Sequence, residues 1–140
     1  MFSMRAGAKN HEIFYSECNI YSGNSEIIKP VVSDEKLPLT GVILPVITPL
    51  NADNELDIKA LNVLLNKVIN AGVHGIFVGG SAGQGPLLID HVWTSVMDNA
   101  IRIIDKRCNL MGGIIEASTP RAKQKIKILE SLGYDTMVVT

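Results

Sequence analysis

Residues 76–86 read IFVGGSAGQGP, and this stretch decides the fold. The apolar run stops at four glycines spread over seven residues, and the hydroxyl of Ser81 lies among them. Glycine allows the backbone to adopt positive φ or to approach a ligand closely. The pattern therefore predicts a buried strand that delivers a tight, polar turn at its carboxyl end.

Strands and helices alternate on both sides of this turn. Short apolar runs predict four strands, at 41–47, 75–78, 110–115 and 136–139. Apolar residues at helical spacing predict three intervening helices, at about 58–71, 90–104 and 119–132. Alternation of this kind favours an α/β fold with a parallel sheet. Periodicity alone leaves both a (β/α)8 barrel and a doubly wound open sheet possible.

The composition suits a globular domain, with 46% hydrophobic residues and a formal net charge of −1. We expect neither nucleic-acid nor membrane partners, because both usually require a basic patch or a long apolar segment. Residues 1–38 mix polar residues with isolated aromatics, which predicts a poorly ordered extension before a domain at 39–140. Cys18 and Cys108 lie far apart, which predicts reduced thiols and a cytoplasmic protein.

Polar residues follow each predicted strand at its carboxyl end, where parallel α/β folds bind ligands. The four candidates are Thr48, Ser81, Glu116 and Thr140. We expect Glu116 either to pair with a substrate amine or hydroxyl or to be a solvated loop carboxylate. His74 precedes a strand and belongs to the opposite rim. His11 and His91 have no partner at ligand spacing, so no metal site is expected.

The glycine turn does not fit the common nucleotide-binding patterns. A phosphate loop needs Lys and Ser or Thr after its last glycine, where this chain has Pro86 and Leu87. A dinucleotide fingerprint counted from Gly83 fails at Leu88. Two interpretations remain open: a cradle of backbone N–H groups and the Ser81 hydroxyl for a small anion or carbonyl, or a turn that only connects a strand to a helix.

From Gly41 to Thr140 the chain resembles the N-terminal half of the dihydrodipicolinate synthase / N-acetylneuraminate lyase family. The matching segments are GVILPVITPL (41–50), AGVHGI (71–76), GSAGQ (80–84) and LGYDTMVVT (132–140). The third resembles the family signature Gly-Thr/Ser-Thr-Gly-Glu, and the last resembles the segment before the family's Pro-Tyr-Tyr. The resemblance implies the N-terminal half of a TIM (β/α)8 barrel, with four parallel strands and three helices.

The resemblance also implies class I aldolase chemistry without a cofactor. In the family, a strand lysine late in the barrel forms a Schiff base with pyruvate or another 2-oxo acid, and a tyrosine transfers protons. Several fixed donors hold the substrate carboxylate, and the protonated imine acts as the electron sink. Carried onto this chain, the binding residues are Gly80, Ser81, Ala82 and Thr48.

This chain departs from the family pattern in two respects. Ala82 stands where the family usually has its second hydroxyl, and Gln84 replaces the acidic residue, which we expect to alter specificity. No residue matches the imine lysine or the catalytic tyrosine, because the lysines from 59 to 127 fall on predicted helices or helix ends and Tyr134 lies at the wrong rim.

We therefore expect a partial member of a pyruvate-dependent lyase family that is not competent alone. The alternatives are a non-catalytic interaction or regulatory remnant of that family and an open-sheet anion-binding module. Four strands would leave an open sheet edge on each side and expose the inward side chains. A homo-oligomer or other self-association is expected on that ground.

Overall fold

The computed structural model describes residues 2–5, 12–14 and 40–140. Its strands are β1 (Phe2–Arg5), β2 (Glu12–Phe14), β3 (Ile43–Pro45), β4 (Gly75–Val78), β5 (Asn109–Ile114) and β6 (Thr136–Val139). Its α-helices are α1 (Ile58–Asn70), α2 (Asp90–Ile104) and α3 (Thr119–Leu132), and a short 3₁₀ helix spans Gly85–Leu87. None of the helices in this described part is long and apolar enough to cross a membrane.

All six strands form one sheet in the order β2-β1-β6-β5-β4-β3. The four strands from β3 to β6 are parallel, each paired with the next along the chain. Helices α1, α2 and α3 form the three connections between them. The prediction of four parallel strands with three intervening helices is confirmed.

Helix α2 lies at the centre of the helical layer and contacts both α1 and α3. Its apolar residues at helical spacing, which include Trp93 and Met97, are buried and pack with Ile76 and Ile114 of the sheet. Helix α1 begins after Asp57, whose carboxylate accepts a hydrogen bond of 2.9 Å from the Ala60 amide. Local capping and apolar periodicity thus agree on where the helices begin and which face they bury.

The β3 edge of the sheet carries a proline. The Val46 amide donates to the Phe77 carbonyl at 3.0 Å, so Val46 directs its backbone groups toward β4. Backbone groups alternate in direction along a strand, and the neighbouring Pro45 therefore faces away from β4. Proline costs no ladder bond in that place, and it removes a donor from the exposed edge.

The β6 edge is occupied by β1, which pairs with it antiparallel over residues 2–5. The expectation of an open edge on this side is wrong, because N-terminal residues supply the missing backbone partners. Beyond β1, β2 pairs with it antiparallel. The predicted extension of residues 1–38 otherwise lies outside the described residues.

The inner face of the sheet, opposite the helices, is partly buried. A Cβ on Gly112 would point at Leu129 and Tyr134 in the helical layer, so its neighbour Met111 points the other way. Met111 is only 8% exposed and Val138 2%, whereas Phe77 is half-buried. The expectation that inward side chains are exposed is wrong for Met111 and Val138. Burial on this face rises from β3 toward β6, the side on which β1 and β2 extend the sheet.

Substitutions at two adjacent glycines of β5 test the packing on the two faces of the sheet. A Cβ on Gly113 would overlap the Gly79 carbonyl oxygen, whereas one on Gly112 would lie 2.6 Å from the Cδ1 of the Leu129 side chain and 3.0 Å from the Tyr134 ring. We expect Gly113→Ala to lower the free energy of unfolding by about 3 kcal/mol and Gly112→Ala by about 1 kcal/mol, because backbone yields less than a side chain. Urea unfolding measures both. Equal losses would contradict the close backbone contact.

Candidate functional site

The turn after β4 is built from its own backbone. Gly79 turns the chain with φ +67°, the Gln84 amide donates to the Ser81 carbonyl, and the Gly85 amide donates to the Gly80 carbonyl, both at 3.0 Å. A Cβ on Gly85 would overlap the Gly79 carbonyl oxygen, so only glycine fits there. Gly80 is buried, and Ser81 and Ala82 are exposed at the carboxyl edge of the sheet.

Thr48 ties the end of β3 to this turn. Its half-buried hydroxyl donates a 2.7 Å hydrogen bond to the Gly83 carbonyl. The hydroxyl oxygen keeps lone pairs that can accept a further bond. The structure thus brings the four predicted binding residues together: Thr48, Gly80, Ser81 and Ala82.

Trp93 of α2 supports the turn from the helical side. Its buried indole N–H donates a 3.1 Å hydrogen bond to the Gly113 carbonyl on β5. The Gly113 backbone lies against Gly79 and Gly80, where a Cβ would meet atoms of both residues within 3 Å. The turn is therefore held between Thr48 on one side and Gly113 on the other.

Glu116 follows β5 but faces the helices and not the inner face. Its Oε1 lies 2.6 Å from the Lys125 Nζ, and its Oε2 accepts a 3.1 Å hydrogen bond from the Arg121 Nε. Arg121 also reaches Asp90 of α2 at 2.7 Å. The expectation of a solvated loop carboxylate is wrong, because the Glu116 side chain is only 11% exposed and its two oxygens meet cations of α3. The i, i+4 spacing of Arg121 and Lys125 places two cations on the helix face above this carboxylate.

Lys125 is the residue whose environment sequence reasoning missed. Its side chain is 7% exposed, and its Nζ lies 4.7 Å from the centre of the Trp93 ring. A carboxylate and an aromatic face replace the water that a helical lysine usually keeps. The hydrogen bond from Lys125 is the main cause that lowers the pKa of the Glu116 carboxyl below its ordinary value. The sequence feature that could have predicted this environment is Glu116 followed by Arg121 and Lys125, two cations one helical turn apart.

The carboxyl edges of β5 and β6 are also joined through the backbone. The Glu116 amide donates to the Thr140 carbonyl at 3.1 Å, and the Thr140 amide donates to the Ile114 carbonyl at 3.0 Å. Of the four polar candidates, Thr48 and Ser81 therefore share the glycine turn. Glu116 and Thr140 meet at the neighbouring strand ends, and the Glu116 side chain points toward α3.

The remaining polar candidates have structural partners. His74, at the start of β4, accepts a 3.0 Å hydrogen bond from the Val42 amide at its Nδ1. The Tyr134 hydroxyl, before β6, donates to the Met97 carbonyl at 2.8 Å, and burial raises the pKa of this phenol. His91 pairs with Glu55 at 2.8 Å on the surface. Among the described residues, no three His, Cys, Asp or Glu side chains form a metal-binding group.

The sequence model of the dihydrodipicolinate synthetase family matches residues 38–140. The chain therefore belongs to this family, and the predicted resemblance is confirmed. The 4-hydroxy-tetrahydrodipicolinate synthase of Stenotrophomonas maltophilia R551-3 is 30% identical over 105 residues, which cover 74% of this chain and 35% of that protein. An uncharacterized DapA-like lyase of Halobacterium salinarum is 33% identical over 111 residues, with 76% and 35% coverage.

Solved structures agree on the fold. Dihydrodipicolinate synthase from Aquifex aeolicus matches with a TM-score of 0.69 and 26% identity, over 72% of this chain and 34% of that one. The Escherichia coli K12 prophage protein YagE, of the dihydrodipicolinic acid synthase family and solved in complex with pyruvate, matches with a TM-score of 0.69 and 30% identity, over 71% and 34%. The chain spans about a third of the length of the curated relatives it matches, at 35% of the first of them.

The hydrogen bond from Thr48 can be tested by a matched pair of substitutions. Thr48→Val keeps the shape but removes the donor to the Gly83 carbonyl, whereas Thr48→Ser keeps the donor. We expect Thr48→Val to lower the free energy of unfolding by about 1 kcal/mol and Thr48→Ser by less, since one hydrogen bond is lost. Urea unfolding and amide exchange at Gln84 and Gly85 measure the change. Equal behaviour of the two variants would contradict a role for the hydroxyl.

The ion pair of Glu116 and Lys125 predicts a specific acid response. Because the folded-state pKa of Glu116 is depressed, its contribution to stability is present above the ordinary value of 4.5 and is lost as pH falls through the folded value. Glu116→Gln should therefore flatten the fall of the unfolding free energy with pH below about 4.5. Unfolding followed by the fluorescence of Trp93, the single tryptophan, measures it. An unchanged acid slope in Glu116→Gln would contradict the assignment.

The same pair also predicts non-additive substitutions. Lys125→Met leaves a largely buried carboxylate with Arg121 alone, at a cost of about 2 kcal/mol, whereas Lys125→Met with Glu116→Gln should cost less. If the double variant were the less stable of the two, the lysine would be acting through packing and not through its charge.

Proposed function

We propose that this chain is the front part of a Schiff-base-forming lyase or aldolase that acts on pyruvate or another 2-oxo acid. In this proposal the turn at 80–83, with Thr48, holds the substrate carboxylate. The observation that carries it is the exposed Ser81 and Ala82 on a rigid turn at the carboxyl edge of the sheet. The pyruvate complex of the related YagE supports the choice of ligand.

The donors of this turn suit a carboxylate. Within the described residues, the Ser81 hydroxyl and the Ser81 and Ala82 amides have no hydrogen-bond acceptor. Their backbone is held by the bonds at Gln84 and Gly85 and by Thr48, so little ordering is needed when an anion binds. Donors fixed in advance are what makes such a site favourable for negative charge.

We further propose that the imine-forming lysine and the proton-transferring tyrosine are not among residues 40–140, the continuous segment that the structure describes, so that this chain alone is not competent. Lys59, Lys67, Lys123, Lys125 and Lys127 lie on helices α1 and α3, and Lys106 follows α2. Tyr134 is committed to the Met97 carbonyl. A reactive imine lysine needs a desolvated position beside the bound oxo acid.

Specificity in this proposal depends on Ala82 and Gln84. Ala82 offers no side-chain donor, and Gln84 has an amide in place of a carboxylate, so the substrate meets less polar and less charged groups than in the family pattern.

The thiol of Cys108 is free, which supports a cytoplasmic location. The pairing of β1 with β6 favours a second candidate, a non-catalytic interaction or regulatory remnant.

Pyruvate binding can be measured by titrating the ¹⁵N-labelled chain and following its amide resonances. We expect shifts concentrated at Gly80, Ser81 and Ala82, and no such pattern with methyl pyruvate, which keeps the ketone but lacks the carboxylate. Ser81→Ala should weaken the affinity about tenfold, the loss expected for one hydrogen bond to a charged group. Equal shifts with the ester would contradict the proposed carboxylate site.

A second experiment tests the missing lysine. A reactive lysine amine condenses with the ketone of pyruvate to an imine with loss of water, and borohydride then reduces this imine to a stable secondary amine, which mass spectrometry of the intact chain detects. We expect no adduct on this chain. An adduct on any of its lysines would show that the nucleophile is present.

A further inference from the structure

The Trp93 indole lies beside the first residue of the glycine turn. Its Nε1 donates to the Gly113 carbonyl oxygen at 3.1 Å, and the residue is only 1% exposed. The position that a Cβ on Gly79 would take lies 3.4 Å from that carbonyl oxygen and 3.5 Å from the Trp93 Nε1. Gly79 has a φ of +67°, so this hydrogen bond lies against the residue at which the chain changes direction.

The Gly113 carbonyl lies where the ladder between β4 and β5 ends. The Ile114 carbonyl accepts from the Thr140 amide on the β6 side, so alternation directs the Gly113 carbonyl toward β4. The last pair of that ladder joins Val78 to Gly112, and the chain then turns at Gly79. The indole N–H therefore supplies a donor to a buried acceptor at the strand end. Because a buried carbonyl without a donor is costly, removal of this N–H favours a shift of Gly113.

A shift of Gly113 cannot remain local. A Cβ on Gly113 would overlap the Gly79 carbonyl oxygen and would lie 2.8 Å from the Gly80 nitrogen, so the two stretches of backbone are in contact. Interiors packed this closely transmit displacements. The backbone at Gly79 and Gly80 leads directly to Ser81 and Ala82, the exposed residues of the turn. The place of their amides thus depends on the place of Gly113.

The indole ring is itself held by a second element. The Lys125 Nζ lies 4.7 Å from the centre of the ring, and the same Nζ lies 2.6 Å from the Glu116 Oε1. The ring therefore meets β5 at its N–H edge and α3 at its face. Contacts from two elements fix the ring relative to the turn.

We propose that Trp93 is a positioning residue for the carboxylate-binding turn and that it acts through Gly113. The indole is buried, so its effect on a bound anion is indirect. It keeps Gly113 where its backbone supports Gly79 and Gly80, and the amides that follow are then in place before an anion binds. The inference rests on the proposed function for the identity of the anion, but not for the order of the turn.

A matched pair of substitutions separates positioning from general stability. Trp93→Phe keeps an aromatic ring and removes the donor to Gly113. Tyr134→Phe is the control, because it removes another buried ring donor, which bonds the Met97 carbonyl of the same helix at 2.8 Å. Dispersed amide resonances of the two ¹⁵N-labelled variants check that the domain remains folded.

The first measurement needs no ligand. Amide exchange is followed at Gln84 and Gly85, whose N–H groups close the turn, and is compared with exchange at the buried Leu65 of α1, which reports on global opening. Relative to Leu65, we expect exchange at the turn to be about tenfold faster in Trp93→Phe, the effect of losing one hydrogen bond. In Tyr134→Phe the ratio should equal that of the unsubstituted chain.

The second measurement is the affinity for pyruvate, followed at the amides of Ser81 and Ala82. We expect Trp93→Phe to raise the Kd about tenfold, because only a fraction of the chains then holds the ordered turn. Tyr134→Phe should leave the Kd unchanged. In the unsubstituted chain the indole N–H resonance of Trp93, the single tryptophan, should shift with the same midpoint in pyruvate as the Ser81 amide.

Two results would overturn the inference. Equal exchange ratios in Trp93→Phe and Tyr134→Phe would show that the turn is ordered without the indole N–H. Faster exchange at the turn with an unchanged Kd would show that this order does not serve binding. If the unsubstituted chain bound no pyruvate, the proposed function would fail, and the exchange ratio would still decide whether Trp93 orders the turn.

Discussion

The close approach of β4 and β5 at their carboxyl ends is the constraint on which the site depends. The backbone at Gly79 and Gly80 lies against Gly113, with no room for a side chain between them. This contact brings the exposed turn beside the end of β5. Two hydrogen bonds then hold the arrangement, from Thr48 to the turn and from Trp93 to Gly113. The resulting turn holds the Ser81 and Ala82 amides at the end of β4, where no acceptor among the described residues meets them.

The ion pairs at the end of β5 lie on the helical side of the sheet, away from the glycine turn. Glu116, Lys125 and Arg121 connect the end of β5 to α3, and Asp90 extends the connection to α2. A buried ion pair of this kind adds little net stability compared with apolar packing, but it is costly to break on one side only. Its effect is to connect α2 and α3 to the end of β5, while the turn at 79–85 itself contains no charged residue.

The edges of the sheet distinguish this chain from a closed barrel. Family membership and the match to solved barrels account for the four parallel strands, and the chain spans about a third of its relatives' length, 35% of the first. Open edges of a parallel sheet have backbone groups that require partners. In this chain Pro45 removes one backbone donor from the β3 edge, and β1 pairs with the backbone groups of the β6 edge.

The sequence by itself determined the order of the strands and helices, the family and the place of the glycine turn. These follow from local rules: apolar periodicity, the cap at Asp57 and glycines that the turn at 79–85 needs for its own backbone. Only the tertiary structure decided that Glu116 turns outward, that Lys125 is buried over Trp93 and that β1 closes the β6 edge. Each of these depends on partners from separate elements, and no local pattern encodes which partner will be within reach once the chain has packed.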